Sequence, residues 1–135
     1  EKSDGSKEFH RLNLNDANIV NSPYYYLQQN DIVYVGQQNI EHIKRKHVDD
    51  YNLFFDKLSE IIINPDYVGR HPHNNSIELV KEFLIQEKHY VKVAVRVSKN
   101  GILFVRTLYT LNDSKFLRKL NNNHYEKVLD IEIKK

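Results

Sequence analysis

The chain has 135 residues, of which 40% are hydrophobic and 28% are charged, and this size and composition predict one compact domain. Cysteine is absent, which excludes disulfide scaffolds, cysteine zinc sites and thiol nucleophiles. The 20 Lys and Arg residues nearly balance the 18 Asp and Glu residues, so the net charge of +2 does not indicate nucleic-acid binding, and any basic site must be local.

Neither end of the chain indicates a membrane segment. No run approaches the ~18 apolar residues of a membrane helix, and residues 1–8 lack the apolar core of a secretory signal. We expect residues 1–8 to be a flexible leader and residues 9–135 to be a single domain. Methionine is absent even at position 1, which suggests the C-terminal part of a longer protein.

The N-terminal part of the domain allows two interpretations. FHRLNL, from Phe9, predicts a short strand, whereas Ser22 before Pro23 would cap a helix through YYYLQQ. Residues 31–35 are rich in β-branched side chains and predict a strand that gives way at Gly36 to a helix beginning near Gln38.

Two amphipathic helices are predicted next. In QQNIEHIKRKH, Ile40, Ile43 and His47 share one face. A second helix follows Asp49 and Asp50, which we expect to act as its caps, and ends at residue 64 because a proline follows. Its apolar residues keep the spacing of one helical face: Tyr51, Phe54, Phe55, Leu58, Ile61 and Ile62.

The hydrophobic period then changes to that of strands. Residues 76–85, 89–98 and 102–110 predict an antiparallel meander, whose last two strands are joined by a two-residue turn at Asn100-Gly101. A helix is predicted over residues 112–120, and residues 127–133 predict an edge strand. The expected class is therefore α+β, with the N-terminal helices on one face of a four- to five-stranded antiparallel sheet and a C-terminal helix.

Turn lengths predict which side chains share a face of this sheet. With a two-residue turn, Arg96 faces Val105, Ala94 faces Thr107 and Lys92 faces Tyr109, while the valines of the same strand form the core. An even-length turn near residue 87 places Lys81 with them. One face should therefore collect Lys81, Lys92, Arg96, Thr107 and Tyr109, and it should contain no glutamate.

Three neighbouring cations repel one another unless an anion lies between them, so this face suits a phosphate. An ordinary solvated polar face is the alternative for each residue taken singly. Arg106 does not fit the alternation. It indicates either a position near the sheet margin or a turn that is off by one residue.

Seven histidines are the natural acid and base candidates near neutral pH. His42 and His47 diverge by roughly 140° on one helix, which disfavours a shared metal ion. His47 ends the basic IKRKH turn and could reach the cationic face. His71 and His73 are expected in a solvated loop, and the remaining histidines are expected at the surface: His10, His89 and His124. We predict no metal site and no cofactor.

The order of these segments resembles the BECR superfamily of small ribonucleases, which includes barnase, EndoU, RelE and colicin-type tRNA nucleases. The segments that carry the resemblance are KRKH, IIINPDYV, NSIELVK, YVKVAVRV and ILFVRTLY, and it covers about residues 31–121. The pattern is most similar to nuclease domains of phage proteins and of bacterial polymorphic toxins.

The resemblance implies a metal-independent endoribonuclease that cleaves RNA, tRNA being one candidate, through attack of the ribose 2′-OH to give a 2′,3′-cyclic phosphate. The catalytic residues it implies are His47, Lys81, Arg96, Thr107 and Tyr109, with His42 as the alternate histidine. We assign substrate binding to Lys92, Lys44 and Arg106. The missing glutamate departs from a barnase-like Glu/His pair and favours a His/Lys/Arg/Tyr arrangement.

Two other classes of function remain as alternatives. A non-catalytic nucleic-acid-binding module would use the basic helix segment at residues 44–46 to contact phosphates. An interaction domain would use the tyrosines at positions 24–26. For the toxin we expect an acidic immunity or antitoxin protein as partner, no membrane association, and action in the bacterial cytoplasm after delivery by a larger protein, as in contact-dependent inhibition.

Overall fold

The computed structural model describes residues 9–13 and 32–128 of the protein. Within these ranges, seven strands and four helices form an α+β fold, and the predicted class is confirmed. In chain order they are β1 (Phe9–Asn13), β2 (Ile32–Gly36), α1 (Gln37–Lys46), α2 (Val48–Phe54), α3 (Leu58–Ile63), β3 (Tyr67–Arg70), β4 (Ile77–Ile85), β5 (Glu87–Val97), β6 (Leu103–Leu111), α4 (Asp113–Asn121) and β7 (Tyr125–Lys127).

The strands of the described ranges form one seven-stranded sheet in the order β1-β2-β6-β5-β4-β3-β7. All neighbours are antiparallel except β2 and β6, which are parallel. Strands β3 and β7 enlarge the sheet beyond the expected four or five strands. Both have only three or four residues, too few to show an alternating pattern in the sequence.

The N-terminal predictions have different outcomes. Strand β1 confirms the strand interpretation of FHRLNL, and β2 followed by α1 confirms the strand-to-helix transition at Gly36. The predicted leader at residues 1–8 and the alternative helix at residues 22–29 lie outside the described residues. The same holds for most of the edge strand predicted at residues 127–133, since β7 ends at Lys127.

The second predicted helix is broken into α2, a 3₁₀ turn at Phe55–Lys57, and α3. The break falls at Phe54, whose φ of −127° and ψ of −7° are not helical. Phe54 remains fully buried, 5.3 Å from the Phe83 ring, and the helix restarts so that Leu58 and Ile61 are also buried. Side chains on both sides of the break thus remain in the larger core.

Each sheet face has its own core. The larger core packs side chains of α1, α2 and α3 on the valines of β5 and their neighbours. On the opposite face, which we call the open face, α4 covers one end, where the Phe116 ring stacks 3.8 Å from the Tyr90 ring. The cleft described below lies on the rest of the open face. Among the described residues, no helix has the length and apolar character needed to span a membrane.

The β5–β6 turn differs from the prediction by one residue. Ser98 N donates to Ile102 O at 2.9 Å, so the loop contains three residues, 99–101, with Gly101 at a φ of 79°. Arg96 therefore pairs with Phe104 and not with Val105.

A β-bulge then restores the predicted register. It inserts Arg106, after which Ala94 pairs with Thr107 and Lys92 with Tyr109, as expected. Arg106 did not fit the predicted alternation because the predicted turn was one residue too short. This was the second of the two explanations that the sequence offered.

The β4–β5 turn contradicts the predicted register. Ile85 pairs directly with Glu87, so the turn is the single residue Gln86, at a φ of 64°. A one-residue change of register moves every side chain of the strand to the other face. Lys81 consequently pairs with Val91 on the helix-covered face, and Glu78 pairs with Ala94 on the open face.

Candidate active site

The free edge of β6 brings the helices to the open face. Strand β2 pairs with β6 only at Leu103 and Phe104, so the edge beyond them is covered by α1 and α2. Asn39 Nδ2 donates to the carbonyl of Arg106 at 3.1 Å. The Asp50 carboxylate accepts from Thr110 N at 3.0 Å and from Thr110 Oγ1 at 2.7 Å, so Asp50 joins helix to strand and does not cap α2 as predicted.

These contacts fix the α1–α2 junction, which is His47, beside β6. The His47 ring stacks on the Tyr109 ring, with 5.0 Å between centroids and an interplanar angle of 21°. Lys92 Nζ lies 4.5 Å from the centroid of the Tyr109 ring. The His42 ring lies 6.2 Å from that of His47, in an edge-on arrangement. Neither of these two imidazoles hydrogen-bonds to any described residue.

The β3–β4 loop, residues 71–76, forms the opposite wall. His71 Nδ1 accepts from the backbone N–H groups of His73 and Asn74, at 3.1 and 3.2 Å. Asn74 Oδ1 in turn accepts from Ser76 N at 2.9 Å. Burial lowers the pKa of His71, and the nearby cation Lys92 also lowers it. Since Nδ1 is an acceptor, the neutral ring carries its proton on Nε2.

A buried carboxylate lies beneath these groups. Glu78 is only 1% exposed, and its Oε1 accepts from Tyr125 OH at 2.8 Å and lies 3.0 Å from His124 Nε2. Its Oε2 lies 3.6 Å from Lys92 Nζ. Gly69 permits this approach of β7, because a Cβ there would clash with the His124 carbonyl oxygen.

Burial opposes ionisation of Glu78, but Lys92 and the hydrogen bonds from His124 and Tyr125 outweigh it and hold its pKa below the ordinary value. Burial, together with the charge of Glu78, raises the pKa of Tyr125, so this phenol stays protonated and keeps donating. Lys92 is therefore held in place by an ionised partner.

Together these side chains line a cleft of about 290 Å³. Two buried hydroxyl oxygens in it, Thr107 Oγ1 and Ser76 Oγ, have no hydrogen-bond partner among the described residues. Buried hydroxyls are normally paired, so these two are available to donate to a polar ligand. The lining residues are His42, His47, His71, Asn74, Ser76, Glu78, Lys92, Ala94, Arg106, Thr107 and Tyr109.

Three of the predicted site residues lie elsewhere. Lys81 Nζ donates to the carbonyl of Asn64 at 2.9 Å on the helix-covered face. Arg96 lies in a neighbouring cleft, and Lys44 Nζ lies 5.5 Å from the centroid of the Tyr51 ring on the helical surface. The other predicted residues line the cleft: His42, His47, Lys92, Arg106, Thr107 and Tyr109.

Sequence reasoning missed several members of the cleft. Glu78 was assigned to the wrong face because nothing in the LIQEKH sequence marks a one-residue turn at Gln86. His71 was expected in solvent and lines the cleft, while His124, expected at the surface, is half-buried against Glu78. The Asn-rich sequence after His71 was the available signal for a tight, hydrogen-bonded loop.

The arrangement provides imidazoles for proton transfer, cations for a phosphate and hydroxyl donors for its oxygens. Within the described ranges, no three His, Asp or Glu side chains are grouped so that they could hold a metal ion. Such a set on an α+β sheet is that of a nuclease acting on phosphodiesters.

The comparison with protein families agrees with this class. Residues 12–118 match the family described as phage-Barnase-EndoU-ColicinE5/D-RelE like nuclease3. This range is most of the chain, so the protein belongs to that family and is a nuclease domain of the BECR superfamily, as the resemblance predicted. The match begins earlier than the resemblance, which started near residue 31. No curated protein and no solved structure matches the chain.

Proposed function

We propose that the protein is an endoribonuclease that cleaves RNA by attack of a ribose 2′-OH on the adjacent phosphorus, without a metal ion. The products are a 2′,3′-cyclic phosphate and a 5′-OH. The observation that carries this proposal is a pair of imidazoles, His47 and His42, beside two cations, Lys92 and Arg106, and two hydroxyls, Thr107 and Ser76, in one cleft. Neither the imidazoles nor the hydroxyls have a hydrogen-bond partner among the residues that the structure describes.

His47 and His42 supply the proton transfers. One imidazole removes the proton of the 2′-OH, and the other, as imidazolium, gives a proton to the departing 5′ oxygen. The separation of 6.2 Å between the ring centroids lets both rings contact a single phosphodiester. Stacking on Tyr109 fixes the plane of the His47 ring, so its proton transfer needs no reorientation.

The charge that develops on the phosphoryl oxygens is stabilised by Lys92 and Arg106. Thr107 and Ser76 donate their hydroxyl hydrogens to the same oxygens. His71 presents an Nε2–H and therefore acts as a hydrogen-bond donor and not as the base. Lys81 and Lys44 have no part in this proposal, because neither lines the cleft.

The test is incubation of the purified protein with tRNA and with a defined RNA oligonucleotide in EDTA, followed by analysis of the fragment ends. We expect cyclic-phosphate ends from the wild type, and a loss of about 10²- to 10⁴-fold in rate for His47→Ala and for His42→Ala. His89→Ala is the matched control, since His89 lies outside the cleft. A single 2′-deoxy substitution at the cleaved nucleotide should abolish the reaction.

Several results would contradict the proposal. Cleavage that persists in both histidine variants would remove these residues from the chemistry, and cleavage of the 2′-deoxy substrate would exclude attack by the 2′-OH. Tight RNA binding without cleavage under any condition would instead favour the non-catalytic binding module.

We further propose that this activity is that of a toxin acting in the bacterial cytoplasm, delivered by a larger protein and inhibited by an acidic immunity protein that covers the cleft. The exposed guanidinium of Arg106 and the cleft histidines support the choice of an acidic partner. Induced expression in a bacterium should arrest growth, whereas His47→Ala should be tolerated. Equal growth of the two strains would contradict the toxin role.

A further inference from the structure

Arg96 lies in a second cleft, next to the candidate active site on the open face. This cleft has a volume of about 240 Å³ and is lined by Asn39, Arg96, Ser98, Phe104, Val105 and Arg106. It shares Arg106 with the candidate active site. The two clefts are therefore adjacent along β5 and β6, with the Arg106 side chain at the boundary.

The geometry of β5 separates Lys92 from Arg96 along the open face. The two residues are four positions apart on one strand, and a rise of roughly 3.3 Å per residue places their Cα atoms about 13 Å apart. Lys92 is moreover held beside Glu78, at 3.6 Å. Arg96 is therefore placed to contact a different group from the one that Lys92 contacts, since the two side chains line different clefts.

The second cleft has the electrostatic character of an anion site. Its two charged lining residues are the guanidiniums of Arg96 and Arg106, and within the described ranges neither forms an ion pair. Two guanidiniums in one small cleft repel each other unless an anion lies between them. Guanidinium groups also match the geometry of phosphate oxygens.

Two local features direct donors into this cleft. The β-bulge next to Val95 inserts Arg106 as an extra residue, and Asn39 Nδ2 holds the Arg106 carbonyl at 3.1 Å. Ser98 Oγ accepts from Ile102 N at 3.0 Å, which leaves its hydroxyl hydrogen to donate to a ligand.

From these observations we infer that Arg96, in the second cleft, binds a phosphodiester that flanks the scissile one in the RNA, with Arg106 at the boundary between the two phosphates. The inference rests on the proposed function for the identity of the polymer. It implies that the protein acts on an RNA strand that runs across both clefts, and that a dinucleotide fills only the first.

The kinetic test compares a dinucleotide with RNAs extended by one nucleotide on the 5′ side or on the 3′ side. In the wild type, one of the two extensions should raise kcat/KM. Arg96→Ala should remove about 10- to 100-fold of this gain, the range expected for a charged hydrogen bond. Arg118→Ala removes the same charge from the exposed surface of α4 and should keep the gain.

A binding test makes the inference independent of turnover. In the His47→Ala background, a fluorescently labelled RNA is titrated at several salt concentrations. Arg96→Ala should weaken binding and lower the salt slope by about one unit, whereas Arg118→Ala should leave both unchanged.

The outcomes separate the two proposals. Equal losses for the dinucleotide and the extended RNAs would place Arg96 at the scissile phosphate and overturn the inference. An unchanged salt slope would overturn it as well. If no RNA is cleaved, the proposed function fails, yet the binding titration still decides whether Arg96 contacts a phosphate.

Discussion

Glu78 illustrates how one buried side chain determines the state of its neighbours. A carboxylate that is 1% exposed is stable only with its charge compensated, and here Lys92, His124 and Tyr125 supply that compensation. Removing the negative charge would leave the nearly buried ammonium of Lys92 without its partner. Glu78 therefore positions the lysine that lines the candidate active site.

The lowered pKa of Glu78 predicts an acid-dependent stability. Because the folded pKa lies below the ordinary value of 4.5, the ionised carboxylate stabilises the fold above that pH, and this contribution is lost as the pH falls through the folded value. Glu78→Gln should lower the free energy of unfolding at pH 7 by about 3–5 kcal/mol and should flatten its decrease below pH ~4.5.

Urea unfolding at pH 7 and in the acidic range measures both effects. Glu87→Gln, an exposed carboxylate at the β4–β5 turn, is the matched control and should behave like the wild type. A Glu78→Gln protein with the wild-type pH dependence would show that this carboxyl group has an ordinary pKa.

At the residue scale, the sheet face of a side chain could be predicted from the sequence where a recognisable turn set the strand register. Lys92, Thr107 and Tyr109 were placed together from Asn100-Gly101, and the pairing holds because the bulge at Arg106 compensates for the longer turn. Glu78 was missed because a non-glycine residue, Gln86, makes the β4–β5 turn alone at positive φ. Such a turn has no sequence signature.

Among the elements, the part of the β6 edge that β2 does not cover positions the histidines proposed to be catalytic. Strand β2 leaves β6 after Phe104, and the backbone groups that it vacates bond instead to Asn39 of α1 and Asp50 of α2. An exposed edge would otherwise invite pairing with another chain. The same contacts hold the α1–α2 junction at the edge of β6, so that His47 lies against Tyr109 on the open face.

Removing the Asp50–Thr110 contact between α2 and β6 should lower activity as well as stability. Asp50→Ala leaves Thr110 N and Oγ1 without their acceptor, which should cost about 1–3 kcal/mol of stability. As the α1–α2 junction loosens, His47 leaves its stacked position and kcat should fall by up to about 100-fold.

The neighbouring Asp49 provides the matched control. It lies in the same first turn of α2 but is exposed, and no hydrogen bond or ion pair links its side chain to the described part of the sheet. Asp49→Ala should keep both kcat and the urea midpoint close to wild type. Similar loss in the two variants would assign the effect to the charge of the helix end and not to the Asp50–Thr110 contact.

The elements themselves were largely predictable, since long periodic segments identify α1, α4 and the strands β4, β5 and β6. What escaped prediction was short or bent. Strand β3 has four residues including Gly69, and the break at Phe54 falls within a continuous helical pattern of apolar residues, which does not reveal it.

On the scale of the whole molecule, the cleft combines distant parts of the chain. His47 comes from the α1–α2 junction, Ser76 from the β3–β4 loop and Thr107 from β6. Two of the side chains that contact Glu78 lie beyond residue 118, where the family match ends. They are His124 and Tyr125. A family resemblance could therefore indicate the class of enzyme but not this part of its site.

The position of β7 late in the chain determines when the candidate active site can be completed during synthesis. It joins the sheet only through β3, with Tyr125 opposite Gly69, and it is the last element of the described chain. A ribosome releases these residues late, so the group of side chains that holds Lys92 beside Glu78 is completed only when residues 124 and 125 have emerged. Assembly of the cleft during synthesis therefore waits for residue 125, and a nascent chain that stops earlier lacks two of the groups that hold Glu78.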